Sequence, residues 1–74
     1  MTKTYLDSRS RPYADTRNFY EVTGCEGKTD EEVKAFIDYK TEDEVPNFCC
    51  PFCENYQRVS DGKATYTLVV PFLD

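Results

Sequence analysis

The 74-residue chain contains no histidine. No imidazole is therefore available for acid–base work near neutrality. No serine or cysteine stands beside a base in a recognisable nucleophile pattern, and no carboxylate pair sits in a cleft-forming architecture. A chain this short also leaves little room for a pocket of several hundred Å3. Together these absences argue against an enzyme. Long apolar runs are missing as well. The first twenty residues are charged throughout, without the apolar stretch of about 7–15 residues that a signal peptide needs. Nowhere do ~18 apolar residues follow one another, as a membrane span requires. The expectation is a cytoplasmic protein without membrane contact, its thiols reduced. There is no internal repeat and no low-complexity tract.

What the chain has is acid. Nine bases face 14 acids, for a net charge of −5. Long-range repulsion disfavours direct nucleic-acid binding and steers the molecule toward basic surfaces. The charge is uneven. Residues 1–20 carry Lys3, Arg9, Arg11 and Arg17 against Asp7 and Asp15, a net of +2, and the remainder carries −7. The plainer reading of that asymmetry is a solvated surface that keeps a small protein soluble.

Residues 1–16 are polar, with scattered Tyr5, Leu6 and Tyr13, and Ser8, Ser10 and Pro12 interrupt any long element. An irregular N-terminal arm is expected there, at most with a short strand at its start, and a single domain over 17–74. Residues 17–24 read as a strand ended by Gly24, with Tyr20 and Val22 on one face and Phe19 and Glu21 on the other. Residues 29–40 predict a helix. Thr29 and Glu32 have capping-box spacing, Asp30, Glu31 and Glu32 suit the positive end of the dipole, and Val33, Phe36, Ile37 and Lys40 form one stripe. Residues 54–72 predict a hairpin with a type I′ turn at Asp61-Gly62. Counting back from the turn pairs Val59 with Ala64, Gln57 with Tyr66, Asn55 with Leu68 and Cys53 with Val70. The expected fold is α+β. One small domain carries a short antiparallel sheet (first strand plus C-terminal β-hairpin), with one helix packed on it. Val33, Phe36 and Ile37 should lie over Ala64, Tyr66, Leu68 and Val70.

Four cysteines, Cys25, Cys49, Cys50 and Cys53, are the only concentrated chemistry. Cys50 and Cys53 in "CPFC" have the spacing of a zinc knuckle, in which a turn brings both sulfurs to one ion. Cys25 would supply a third ligand. The fourth would be Cys49, although neighbours on an extended chain point apart, or a carboxylate such as Glu26 or Glu54 in its place. One structural zinc is thus a candidate cofactor, against the plainer reading of small buried hydrophobes or incidental oxidation. "CPFC" also resembles the glutaredoxin active-site motif, which would make Cys50 and Cys53 a thiol redox pair. In that family the motif precedes a long helix, and here it precedes a hairpin. "GCEGKT" at 24–29 lies where a phosphate loop would lie. Val22 stands where the loop's first glycine belongs, and three acids follow, so a turn and a helix cap account for it.

The acids cluster at 30–32 and 42–44, on either side of the helix stripe. Helix capping and a solvated loop explain them at minimum. If both groups face one way, they imitate the phosphate spacing of a nucleic acid. Tyr5, Tyr13, Phe19 and Tyr39 exceed what one small core holds, and exposed aromatics anchor interfaces. The functional expectation is a small acidic protein-binding module that inhibits or regulates a partner by occluding its basic, nucleic-acid-handling surface. Asp30, Glu31, Glu42, Asp43 and Glu44 would steer the encounter, and Phe19 and Tyr39 would anchor it. Size and charge place it beside the tiny acidic inhibitors of host nucleic-acid machinery familiar from phages, without a motif match. A zinc-stapled interaction domain and a thiol redox protein are the alternatives. Monomer and homodimer both stay open, because the Tyr66–Phe72 strand is a candidate sheet edge.

Overall fold

The structure is a computed structural model that describes residues 1–11, 15–41 and 51–71. It has an α+β fold: β1 (Thr2–Arg11), β2 (Asp15–Thr23), α1 (Asp30–Phe36), β3 (Phe52–Ser60) and β4 (Lys63–Pro71). The strands form one antiparallel sheet in the order β1-β2-β4-β3. Two hairpins thus lie side by side, joined at the centre by β2 and β4.

This arrangement corrects the expected one in two respects. The residues read as an irregular arm form β1, a ten-residue strand paired with β2 from Thr2↔Thr23 to Arg11↔Asp15. Serines and charges along β1 masked it, because a strand exposed on both faces needs no apolar alternation. The C-terminal strand, expected at an edge, is central, so β4 offers no free edge. The two edges are β1 and β3, and both are interrupted. β1 bulges at Leu6, β3 at the Asn55–Tyr56 step and again at Val59. Bulges, together with Lys3, Asp7, Arg9 and Arg11 on β1, are the usual means of blunting an edge against further pairing.

The β3–β4 register also differs from simple counting. Ser60↔Lys63 holds at the turn, but Arg58 then opposes Ala64, Gln57 opposes Thr65, and Cys53 opposes Leu68. Each bulge slips the register by one residue. Two slips restore the original face, so Cys53 still points at the core. The first involves Asn55, whose φ of 57° is left-handed, a conformation asparagine tolerates better than most residues. The turn is not type I′, since neither Asp61 nor Gly62 has positive φ. Gly62 instead leaves space. A Cβ there would lie 2.5 Å from Glu26 Oε1.

The helix starts as expected and stops early. Thr29 caps it, its hydroxyl oxygen accepting the Glu32 N–H at 3.1 Å. It ends at Phe36 rather than 40 because Asp38 turns left-handed, at φ 55°. The Tyr39 N–H then bonds Lys34 O at 2.9 Å and the Asp38 N–H bonds Ala35 O at 3.2 Å, the two bonds of a Schellman cap. Val33 and Ile37 enter the core, but Phe36 does not. It is 37% exposed, with Lys3 Nζ 5.6 Å above its ring.

The core lies between α1 and one sheet face: Val22, Cys25, Val33, Ile37, Cys53, Ala64 and Tyr66, bordered by Tyr20, Tyr39, Tyr56 and Leu68. Tyr5, Tyr20 and Tyr66 occupy opposed positions on three neighbouring strands. Tyr20 stacks on Tyr66 at 5.4 Å and takes the Tyr5 ring edge-on at 5.8 Å, geometries that suit aromatic quadrupoles. On the opposite face, Arg17 of β2 reaches across β4 to pair with Glu54 of β3. It crosses at the level of Thr67 and Val69, which are only 4% and 2% exposed. Arg11 holds Asp15 bidentately, at 2.8 and 2.5 Å, beside the 12–14 connection. No helix among the described residues is long and apolar enough to cross a membrane.

Candidate interaction surface

Arg58 organises the flank on which the acidic helix start lies. It opposes Ala64 on the core face of β3. Its guanidinium donates to three backbone carbonyls, Cys25 O at 2.9 Å, Ser60 O at 2.9 Å and Asp61 O at 2.5 Å. It also meets Asp30 Oδ1 at 3.1 Å. One fork therefore ties together the strand–helix loop, the hairpin turn and the first residue of α1. Tyr56 adds a second tie, its hydroxyl donating to the same Asp30 Oδ1 at 2.9 Å. The Tyr56 hydroxyl bond and then Arg58 hold the Asp30 carboxyl below its ordinary range, against some desolvation. Desolvation first, and the Asp30 contact next, push the Tyr56 phenol up. A lowered carboxyl supports the fold above its unfolded pKa of about 4 and loses that support as pH falls through the folded value.

Beside this knot, the Tyr56 ring meets Tyr39 edge-on at 6.1 Å. Lys34 Nζ lies 5.1 Å from the Tyr56 centroid and 5.3 Å from that of Tyr39. The Schellman cap places Tyr39, since its Tyr39 N–H to Lys34 O bond folds the chain back over the last turn.

The expected interface residues divide between two sheet faces. Asp30 and Tyr39 meet through Tyr56 on the helix side, and Glu31 is exposed one residue along α1. Phe19 is on the other face, opposite Thr67. There it helps line an open groove of about 340 Å3 with Leu6, Asn55, Gln57, Thr65 and Thr67. One flat contact surface does not include both sets. Glu42, Asp43 and Glu44 lie outside the described residues.

The expected metal ligands divide as well. Cys25 and Cys53 are free thiols, 0% and 3% exposed in the core. Cys49 and Cys50 lie outside the described residues. Cys25 Sγ donates weakly to Asp61 O at 3.6 Å. Burial pushes the Cys53 thiol up, which disfavours the thiolate that metal binding and disulfide exchange require. Among the described residues, no group of three Cys, Asp or Glu side chains comes together as a metal site.

Sequence reasoning missed Arg58, Tyr56 and Lys34. Arg58 and Tyr56 take their positions from bulges that no residue pattern announces. Lys34 gave a partial signal, since its (i, i+4) spacing from Asp30 puts both on one helix flank. The chain matches no known family model, no curated protein and no solved structure.

Proposed function

We propose that this chain is a small acidic, non-enzymatic protein-binding module that inhibits or regulates a partner by covering its basic, nucleic-acid-handling surface. The observation that carries the reading is the exposed acidic start of α1, with Asp30 and Glu31 beside the Tyr39–Tyr56 ring pair. A net charge of −5 supports steering toward a basic patch. The closed environment of Cys25 and Cys53 supports a packing role for these thiols over a displayed redox pair. Glu42, Asp43 and Glu44 belong to the same proposal as further steering charges.

The test uses the full chain as bait in an extract of its native cell, followed by titration of the purified captured protein. Affinity should fall steeply with salt. Charge reversal of Glu31, Glu42, Asp43 and Glu44 should weaken binding by about tenfold or more. Nucleic acid and the chain should compete for the partner. A salt-indifferent complex, or a ternary complex in which nucleic acid stays bound, would refute the proposal.

A further inference from the structure

Lys34 is held unusually for a surface lysine. Its ammonium lies within 5.3 Å of two tyrosine centroids. Among the described residues it makes no ion pair. The Tyr56 ring is held by its hydroxyl bond to Asp30, and the helix cap sets the backbone of Tyr39, whose ring meets that of Tyr56 edge-on. The Asp30 side chain is 58% exposed. Both its described hydrogen bonds go to Oδ1, and Oδ2 accepts none among the described residues. Two aromatic rings, one of them tied by its hydroxyl to Asp30, and an open carboxylate oxygen form a cation site, occupied at present by a lysine of the same chain.

We infer that Tyr39, Tyr56 and Asp30 form the docking site for an arginine side chain of the protein partner, with Lys34 as a displaceable internal plug. Charge complementarity identifies the occupant. A guanidinium is flat enough to lie on a tyrosine ring and can at the same time donate to Asp30 Oδ2, and it is more weakly hydrated than an ammonium. Lys34 makes the ring contacts without a described salt bridge, and the incoming guanidinium replaces the weaker attraction between the lysine charge and Asp30. The inference deepens the proposed function and takes its biological meaning from it, but the site is testable without the partner.

The experiment titrates the full chain with N-acetyl-arginine amide and follows the ring resonances of Tyr39 and Tyr56 by NMR. N-acetyl-citrulline amide is the neutral isostere. Three variants are compared. Lys34→Met keeps the stem and removes the plug's charge. Lys28→Met removes an equal charge from an exposed residue outside the site. Tyr39→Ala removes one ring. The arginine probe should shift both rings and the citrulline probe neither. Lys34→Met should bind about three- to tenfold tighter than Lys28→Met, and Tyr39→Ala should weaken binding by a similar factor. Amide spectra of each variant check that the sheet is intact. Equal response to both probes overturns the site. Equal affinity of Lys34→Met and Lys28→Met overturns the plug. If the arginine probe binds as expected and no salt-sensitive partner is captured, the site stands and the proposed function falls.

Discussion

Replacing Asp38 with glycine should stabilise the protein, although it deletes a charged surface residue. Asp38 is the left-handed residue of the Schellman cap, at φ 55°. Left-handed backbone costs an L residue about 1–2 kcal/mol, with aspartate at the low end of that range, and glycine adopts it freely. Glycine's larger unfolded freedom takes back about 0.5–1 kcal/mol. A second contribution has the same sign as the first. Asp38 puts a negative charge at the negative end of the helix dipole, an unfavourable placement of about 0.3–1 kcal/mol at low salt. The net expectation for Asp38→Gly is a gain of about 1 kcal/mol. With a urea slope of about 1 kcal/mol/M for a small chain, the midpoint should rise by about 1 M. The melting temperature should rise by about 4–8 °C. Asp38→Asn removes the charge and keeps the tolerance for left-handed backbone, so it should gain about half as much. Asp38→Ala removes the charge but meets the full backbone cost, and should fall about 1 kcal/mol below the glycine variant. Urea melts of the four proteins at equal ionic strength decide the matter. If alanine equals glycine, or glycine equals wild type, the helix does not end by the described cap.

The glycines should divide by conformation. Gly24→Ala and Gly27→Ala, at φ 78° and 75°, should each cost about 1 kcal/mol in urea melts. Gly62→Ala should lie within about 0.5 kcal/mol of wild type, because the flexible Glu26 carboxylate can swing aside. A large loss at Gly62 would restore the type I′ turn. Tyr66, whose phenol burial pushes up to about 12, with contributions from Cys53 and Tyr20, should be among the last tyrosines to ionise in an absorbance titration. Its neutral form is favoured in the fold, so its support is complete below pH 10 and is lost as pH rises toward 12. Tyr66→Phe should flatten that part of the stability–pH curve. Arg58→Met should cost about 2 kcal/mol, because it removes the guanidinium bonds to the Cys25, Ser60 and Asp61 carbonyls together with the ion pair to Asp30. Arg58→Lys should recover less than half of it, since an ammonium cannot span the fork, and thermal melts would show the order. In a Cys49→Ser, Cys50→Ser background, the remaining thiols should resist a thiol reagent until denaturant is added. Prompt labelling of the native variant would contradict their burial.

Residues 17–24, the cap at Thr29 and the reversal at Asp61-Gly62 were legible because each rests on local chemistry: β-favouring side chains, a hydroxyl acceptor, a turn-forming pair. Strand β1 was hidden because its signal is non-local. Tyr5 is 55% exposed and Leu6 51%, so little apolar burial imprints a period on the strand, and its place comes from pairing with β2. The helix was read too long for a related reason. The stripe through Val33, Phe36, Ile37 and Lys40 continues in the sequence, but Asp38 stops the backbone where a glycine would have announced a stop. The acids at 30–32 were legible as a group, but the ring pair beside them was not. Tyr39 and Tyr56 meet only because the cap and the β3 bulge turn both toward Lys34.

The paired bulges of β3 obey a parity rule. One slip would rotate everything upstream by half a turn, carrying Glu54 into the apolar interior and Cys53 out to water. Two slips cancel. Deleting Asn55 alone, or Val59 alone, should therefore be ruinous, whereas removing both preserves the inside–outside order of the strand. Natural length variation in this segment should come in steps of two residues, with odd steps missing.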